Sequence, residues 1–221
     1  MKHLIFVEGK EDANFLEKYI KHIKPEISVC IENIESDKID KSGIKDSDVN
    51  IIHIGGKDRK EELLSSKIIE HSSEKTLFIF DADTEFETRT GEISKKIENI
   101  KTIVKDKNID IGSFLFPNNE DNGTLEHLLE KIIPKGNKPI LDCWNSYKKC
   151  LNSKHPKHPA LPDDKDDKDD KKAEIYAYLD ALGSKKIKEA GHDREYGNKE
   201  YWELNSDALE PLKKFLEENL K

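Results

Sequence analysis

The sequence predicts an α/β fold, in which a parallel sheet carries helices on both faces and an α-helical C-terminal extension follows it. Short, dense apolar runs alternate with amphipathic helix patterns through the first half of the 221 residues. Beyond residue 133 the patterns are those of helices alone. Strands that alternate with helices in this way form parallel sheets joined by right-handed crossovers.

The predicted strands are short apolar runs of the kind found in buried parallel strands. They are HLIFV at 3–7, IIHI at 51–54, TLFIF at 76–80 and IGSFLFP at 111–117. A polar insertion lies between residues 27 and 50, and its ISVCI run predicts an additional strand.

The predicted helices carry apolar residues at three- and four-residue spacing, which places those residues on one helix face. One such helix follows each of the first three runs, as with Ala13, Leu16, Ile20 and Ile23 after the first. Later helices are expected around 125–132, 139–152, 173–179 and 209–220.

Two regions follow from these patterns, an α/β domain over 1–133 and a helical extension over 134–221. Within the extension, a segment at about 153–172 combines three prolines with a repeated DDK and predicts a mobile acidic loop or a solvated helix start.

Composition excludes several classes of protein. No apolar stretch approaches the roughly 20 residues that span a bilayer, and the first strand begins too early for a signal peptide. Three cysteines in a chain of this length argue against a secreted disulfide framework, so we expect a cytoplasmic protein. Because the net charge is -8, any contact with phosphate must come from a small local basic cluster.

The first motif that could form part of an active site is VEGKED, in which Glu8 directly follows the first predicted strand. The carboxyl ends of parallel strands form the ligand crevice of an open sheet, so Glu8 is expected to point into it. Gly9 permits a tight turn, and Lys10 beside the helix N-terminus favours an anion such as a phosphate. An exposed turn acid is the ordinary alternative for Glu8.

The second motif is FIFDADTE, in which Asp81 and Asp83 lie two residues apart at a strand end. Both carboxylates are expected to converge above the sheet edge. Two carboxylates about 4.5 Å apart repel by roughly 4 kcal/mol at an effective dielectric constant of about 20. A divalent cation relieves that repulsion, and Mg²⁺ or Mn²⁺ suits a site made of oxygen ligands alone.

Phosphate contacts are predicted in the loops after two of the strands. Gly55 and Gly56 follow the IIHI run with Arg59 close behind, and Arg89 follows the DAD motif. A guanidinium can bind a phosphate through two parallel hydrogen bonds, so both arginines are candidate phosphate clamps. Solvated loop charge remains an equal alternative.

In their order and strand-end placement, VEGKED, the glycine pair and DAD resemble the Toprim fold of topoisomerases, primases, small RNA maturases and the overcoming-lysogenisation-defect nucleases. This resemblance covers residues 3 to about 117. Three later stretches are similar to a bacterial family of small Toprim-like proteins of unknown function, and they extend the resemblance to nearly the whole chain. They are PNNEDNGTLEHLL at 117–129, KAEIYAYLDALG at 172–183 and YWELNSDALEPLKKFL at 201–216.

The resemblance implies a Toprim-like, Rossmannoid sheet and a Mg²⁺-dependent nuclease. Glu8 would be a metal ligand or general base, Asp81 and Asp83 would hold the ion, and Lys10 would assist at the phosphate. The related nucleases use further acids for a second ion, for which Glu120, Asp121 and Glu126 are the candidates here. Glu126 is preferred because it lies in the TLEHLL helix after the last strand, with a first-turn helix acid as the alternative explanation. DNA or RNA is the implied substrate, and a partner ATPase or a homodimer stays open. The DAD motif lacks the Asp-Pro-Asp-type sequence of the RNA maturases, so their substrate is not carried over.

Two other functions stay open. DADT also fits the nucleophile loop of haloacid-dehalogenase-like phosphatases, although that interpretation leaves VEGKED without a role. Alternatively, the chain is a non-catalytic module that binds nucleic acid, nucleotide or a partner protein, for example in phage defence.

The residue types of a zinc site occur together at Cys143, Cys150, His155 and His158. Their spacing does not follow a common zinc finger, so core cysteines and loop histidines are the expected explanation.

Overall fold

A five-stranded sheet forms the centre of this protein, whose computed structural model describes residues 3–34, 47–55, 61–70, 75–104, 109–154, 167–183 and 194–221. The strands are β1 His3–Val7, β2 Val29–Asn33, β3 Val49–His53, β4 Lys75–Asp81 and β5 Asp110–Phe116. All pairs are parallel, in the order β2-β3-β1-β4-β5. The predicted α/β fold is confirmed, and the ISVCI run contributes to β2 as expected.

The helices follow the predicted pattern closely. They are α1 Lys10–Ile23, α2 Glu61–Glu70, α3 Phe86–Ile103, α4 Leu125–Lys131, α5 Lys138–Lys154, α6 Asp167–Ala181 and α7 Glu210–Asn219. Short 3-10 turns precede α5 and α7. Among the described helices, none has the length and apolar character needed to cross a membrane.

The segment expected to be an acidic loop is only partly described. Residues 153–154 end α5, and residues 167–172 begin α6, which agrees with the helix-start alternative. Residues 155–166 lie outside the described part of the chain.

Two apolar cores cover the two faces of the sheet. On one face α2 and α3 pack on Phe6, Phe78 and Phe80. On the other face α1, α4 and the C-terminal extension pack together, and the extension supplies Ile175, Tyr178 and Trp202 among others. Trp202 lies 5.5 Å from the Tyr178 ring and 5.9 Å from the Tyr196 ring, between centroids. The extension is therefore part of the main core.

This packing makes a stability prediction. Trp202 is 1 % exposed, so Trp202→Ala should lower the free energy of unfolding by about 3–5 kcal/mol, as expected for a truncated core aromatic. Tyr147→Ala is the control, because Tyr147 is 54 % exposed and its removal should change stability by less than about 0.5 kcal/mol. Urea unfolding followed by far-UV circular dichroism measures both. Equal losses in the two variants would contradict the packing of the extension on the sheet.

Candidate functional site

Two neighbouring strands with diverging connections meet in the middle of the sheet. After β1 the chain crosses through α1 towards β2 at one edge, whereas after β4 it crosses through α3 to β5 at the other. Such a divergence leaves a crevice outside the carboxyl ends of the two strands, which is the usual ligand site of open α/β sheets. Glu8 follows β1 and Asp81 is the last residue of β4, so both lie at this crevice.

Backbone hydrogen bonds fix the turn after β1. The Gly9 N–H donates to Asp12 Oδ2 at 2.8 Å, and the Gly55 N–H donates to the Glu8 carbonyl at 3.0 Å. Gly55 has a φ of 70°, in the left-handed region that favours glycine. Asp12 therefore faces back onto the strand end from the first turn of α1, while Lys10 is exposed at the start of that helix.

Asp81 connects β4 to the helix that follows β5. Its Oδ1 accepts a hydrogen bond from the Leu125 N–H at 3.0 Å, and its side chain is largely buried. The bond satisfies one of the donors that a helix leaves unpaired at its N-terminus. Asp81 thus holds the start of α4, and with it Glu126, against the end of β4.

Asp83 is reoriented by its backbone. It adopts a φ of 56°, and its N–H and carbonyl pair with Gly123 at 2.8 and 2.7 Å. Its side chain lines a cleft of about 460 Å³ together with Arg89 on the α3 side of the sheet. Asp81, in contrast, follows the alternation that directs Leu77 and Ile79 towards α1 and α4.

Four carboxylates crowd the crevice. Burial, followed by the carboxylate of Asp81, raises the pKa of Asp12 well above its usual value of 3.8. Glu126 and Glu8 add smaller repulsions, and the hydrogen bond from Gly9 opposes them. We call Glu8, Asp12, Asp81 and Glu126 the carboxylate edge.

Arg194, from the C-terminal extension, balances one side of the carboxylate edge. Its Nη2 donates to Glu126 Oε1 at 3.1 Å, and its Nε lies 3.4 Å from Glu11 Oε2. Burial alone would raise the pKa of Glu126, but Arg194 and hydrogen bonds, including one from Thr124, hold that pKa below its usual value. Arg194 is 4 % exposed, and its Nη1 has no hydrogen-bond partner among the residues that the structure describes.

Arg89, from α3, balances the other side. Its Nη2 pairs with Glu8, its Nη1 bonds Glu92 at 3.0 Å, and its Nε donates to the Asp81 carbonyl at 3.3 Å. Burial would lower the pKa of Arg89, yet Glu8, Glu92 and Asp83 together raise it. The predicted phosphate clamp is therefore the counter-ion of Glu8 in this arrangement.

The acids of the edge are neighbours, but they do not form a finished ligand set. Over the described ranges, no three His, Cys, Asp or Glu side chains are grouped closely enough to hold a metal ion. The geometry explains this, because Glu8 and Glu126 each turn to an arginine and Asp81 turns to a backbone N–H. Their donor set consists of carboxylate oxygens, the chemistry that Mg²⁺ prefers.

Some of the predicted site residues cannot be placed. Gly56, Arg59, His155 and His158 lie outside the described residues. Cys143 and Cys150 are exposed on α5, so the expectation of core cysteines is wrong. Helix α5 packs on the protein through Leu141, and both cysteines lie on the opposite face of the helix.

Two residues of the site were not assigned from the sequence. Asp12 could have been recognised, because an acid at the third position of a helix can accept a hydrogen bond from the backbone N–H of the N-cap residue, here Gly9. Nothing in the sequence around Arg194 indicated its role, apart from the fact that the chain contains only three arginines. Its partner Glu126 lies 68 residues away in sequence, beyond the reach of any local pattern.

Comparison with protein-family models gives one match, to a family described as protein of unknown function DUF3226, over residues 2–221. This chain belongs to the DUF3226 family. Searches of curated proteins and of solved structures gave no match. In this DUF3226 protein the match includes both the sheet and the helical extension, which agrees with their shared core.

The crowding at Asp12 predicts a gain in stability when its charge is removed. In EDTA at pH 7, Asp12→Asn should raise the free energy of unfolding by about 1 kcal/mol, since Asn can still accept from Gly9 while the cost of burying the charge and the repulsion from Asp81 both disappear. The raised pKa means that the folded protein binds this proton more tightly than the unfolded chain does. The advantage of the variant therefore shrinks as the pH falls below the raised pKa and vanishes below 3.8.

Urea unfolding across this pH range measures the effect. Glu87→Gln, at an exposed acid of α3, is the control and should change stability by no more than about 0.5 kcal/mol. A loss of stability in Asp12→Asn at pH 7 would contradict the repulsion.

Proposed function

We propose that this protein is a Mg²⁺- or Mn²⁺-dependent nuclease of the Toprim type that hydrolyses phosphodiester bonds in DNA or RNA. The observation that carries the proposal is the carboxylate edge at the crevice between β1 and β4. Four acids, from the turn after β1 and from α1, β4 and α4, share this crevice, where burial and then the Asp81 carboxylate raise the pKa of Asp12. A divalent cation would offset the cost of keeping them together. The order of VEGKED, the glycine turn and DAD along a parallel sheet supports the Toprim assignment.

Glu8 and Asp81 would hold the ion, with Asp12 and Glu126 as further ligands from α1 and α4. Asp83, the third acid that the sequence assigned to the ion, lines the cleft on the α3 side and would have to turn towards Asp81 to join them. A bound Mg²⁺ would supply a water of lowered pKa and stabilise the leaving oxygen of the phosphodiester. The residues of the chain prepare for this. Arg194 keeps Glu126 ionised, Asp81 fixes α4 beside the strand end, and exposed Lys10 offers a cation to a phosphate at the start of α1.

Arginine pairing sets a condition on the proposed activity. Glu8 must exchange Arg89 for the cation, and Glu126 must exchange Arg194. Once released, each guanidinium would lie beside the ion and could bind a substrate phosphate, which is the role predicted for Arg89 from the sequence. The haloacid-dehalogenase interpretation gives Glu8 and Asp12 no role, so we do not propose it.

The same ion pairs favour one second function. If the arginines are permanent partners of Glu8 and Glu126, the edge is already neutralised, and the protein is a non-catalytic binding module. Metal binding separates the two functions, because a module with a neutralised edge needs no divalent ion.

Asp81→Asn tests the nuclease directly. The variant keeps an acceptor for the Leu125 N–H but loses the charge, so Mn²⁺ affinity and cleavage should each fall by roughly 100-fold. Isothermal titration calorimetry measures the affinity for Mn²⁺. Cleavage is measured with labelled DNA and RNA, each as single and as double strands.

Asp180→Asn is the matched control, since Asp180 is exposed on α6 away from the edge. It should behave as the native protein does. No Mn²⁺ binding by the native protein would refute the nuclease and support the binding module.

Arg89→Met tests whether the arginine competes with the cation. Loss of the guanidinium leaves Glu8 unpaired, with its side chain 12 % exposed, so stability in EDTA should fall by roughly 3 kcal/mol. Mn²⁺ should bind roughly tenfold more tightly, because 1.4 kcal/mol of competition corresponds to about that factor. Arg89→Lys keeps the charge and should stay close to the native affinity. Weaker Mn²⁺ binding in Arg89→Met would show that Arg89 supports the ion instead of excluding it.

A further inference from the structure

A second cleft lies outside the carboxylate edge, along the same helix. It has a volume of about 630 Å³ and opens between the C-terminal half of α1 and the segment 197–205. Its charged and titratable lining residues are Lys18, Lys21, His22, Lys135, Lys199 and Glu203. The volume lies within the range of about 300–1,000 Å³ that is typical of small-ligand sites.

The charge of this cleft is opposite to that of the whole chain. The protein carries a formal charge of -8, yet four lysines face the cleft with one acid. Lys18 and Lys21 lie 3.3 and 2.5 Å from the carboxylate of Glu17. Lys135 and Lys199 are exposed, and neither forms an ion pair with any residue that the structure describes. The cleft is therefore a local basic site on an acidic protein.

The walls of the cleft are held in place from behind. The Trp202 indole N–H donates to the Arg194 carbonyl at 3.0 Å, and His22 Nε2 lies 2.8 Å from Asn205 Oδ1 across the cleft. The Asn137 amide donates to the Glu200 carbonyl at 2.7 Å, which ties the loop of Lys199 to the turn that carries Lys135. A site whose groups are fixed in advance loses less conformational entropy when it binds.

The cleft and the carboxylate edge share one face of α1. Glu11, Lys18 and His22 are separated by seven and then four residues, which places them on the same side of the helix. Glu11 contacts Arg194 and Tyr196 at the edge, and the chain then runs from Tyr196 along α1 to the cleft. Seven residues of helix span about 10 Å, so a strand bound at the edge can extend to the cleft.

We propose that this basic cleft binds the backbone phosphates of a single nucleic-acid strand, at nucleotides that flank the phosphate that reacts at the carboxylate edge. This proposal rests on the proposed nuclease function. The cleft would be the local basic cluster that an acidic protein needs in order to bind phosphate, because the carboxylate edge itself repels the substrate. Electrostatic contacts of this kind position a strand without reading its sequence.

The test measures binding without catalysis. A 5′-labelled 12-nucleotide single strand of DNA is titrated with the full chain in EDTA, and fluorescence anisotropy gives the affinity from 50 to 200 mM NaCl. Lys135→Gln with Lys199→Gln should weaken binding at 50 mM NaCl at least tenfold. It should also reduce the slope of log K against log salt by about 1.4, which is 0.7 for each of two lost phosphate contacts.

The matched control is Lys95→Gln with Lys101→Gln, two exposed lysines of α3 on the opposite face of the sheet. It should leave affinity and slope unchanged. Equal weakening in both double variants, or no binding of the strand by the native protein, would overturn the proposal. Full competition by a mononucleotide at equal phosphate concentration would also overturn it, in favour of a small phosphorylated ligand.

The two proposals fail in different ways. If the cleft variant loses strand binding while native protein binds no Mn²⁺, the cleft stands and the nuclease falls. If Asp81→Asn abolishes Mn²⁺ binding while the cleft variant binds the strand normally, the nuclease stands and the cleft falls.

Discussion

Repulsion between carboxylates at the ends of β1 and β4 is the constraint on which the rest of this structure depends. Asp12 is surrounded by Asp81, Glu126 and Glu8, and burial strengthens each interaction because little water screens it. The fold answers with one arginine from each side of the sheet, Arg89 from α3 and Arg194 from the C-terminal extension. A neutral edge made of apolar residues would be simpler to fold, and the retained charge is the reason for proposing a metal site at this crevice.

The helical extension takes part in the site as well as in the core. Arg194 reaches Glu126 and Glu11 because the segment that follows it is anchored by Trp202, which packs among Tyr178 and Tyr196. The Trp202 indole bonds the backbone of Arg194 itself. Apolar packing in the extension thus sets the electrostatic balance of acids that belong to the sheet. The division into an α/β domain and an extension describes the order of the chain better than it describes the architecture.

Local sequence patterns predicted the strands and helices well, but they did not predict which side chains form ion pairs. Dense apolar runs identified β1, β3, β4 and β5, because a strand buried on both faces needs apolar residues at nearly every position. The placement of Glu8 and Asp81 at strand ends predicted that they share one crevice, because the carboxyl ends of parallel strands lie at the same edge of a sheet. Asp83 shows the limit of this reasoning, since its positive φ and its pairing with Gly123 direct it towards α3. Arg194 shows a second limit, because its ion pairs join residues that only the completed fold brings together.

The position of Arg194 in the chain has a consequence for biosynthesis. During translation the sheet strands and the carboxylates on α1, β4 and α4 emerge from the ribosome well before residue 194. A nascent chain therefore carries the full set of repelling acids before one of their two counter-ions has been made. Formation of the edge during synthesis should be incomplete until residue 194 has left the exit tunnel, which delays any activity of the site until then.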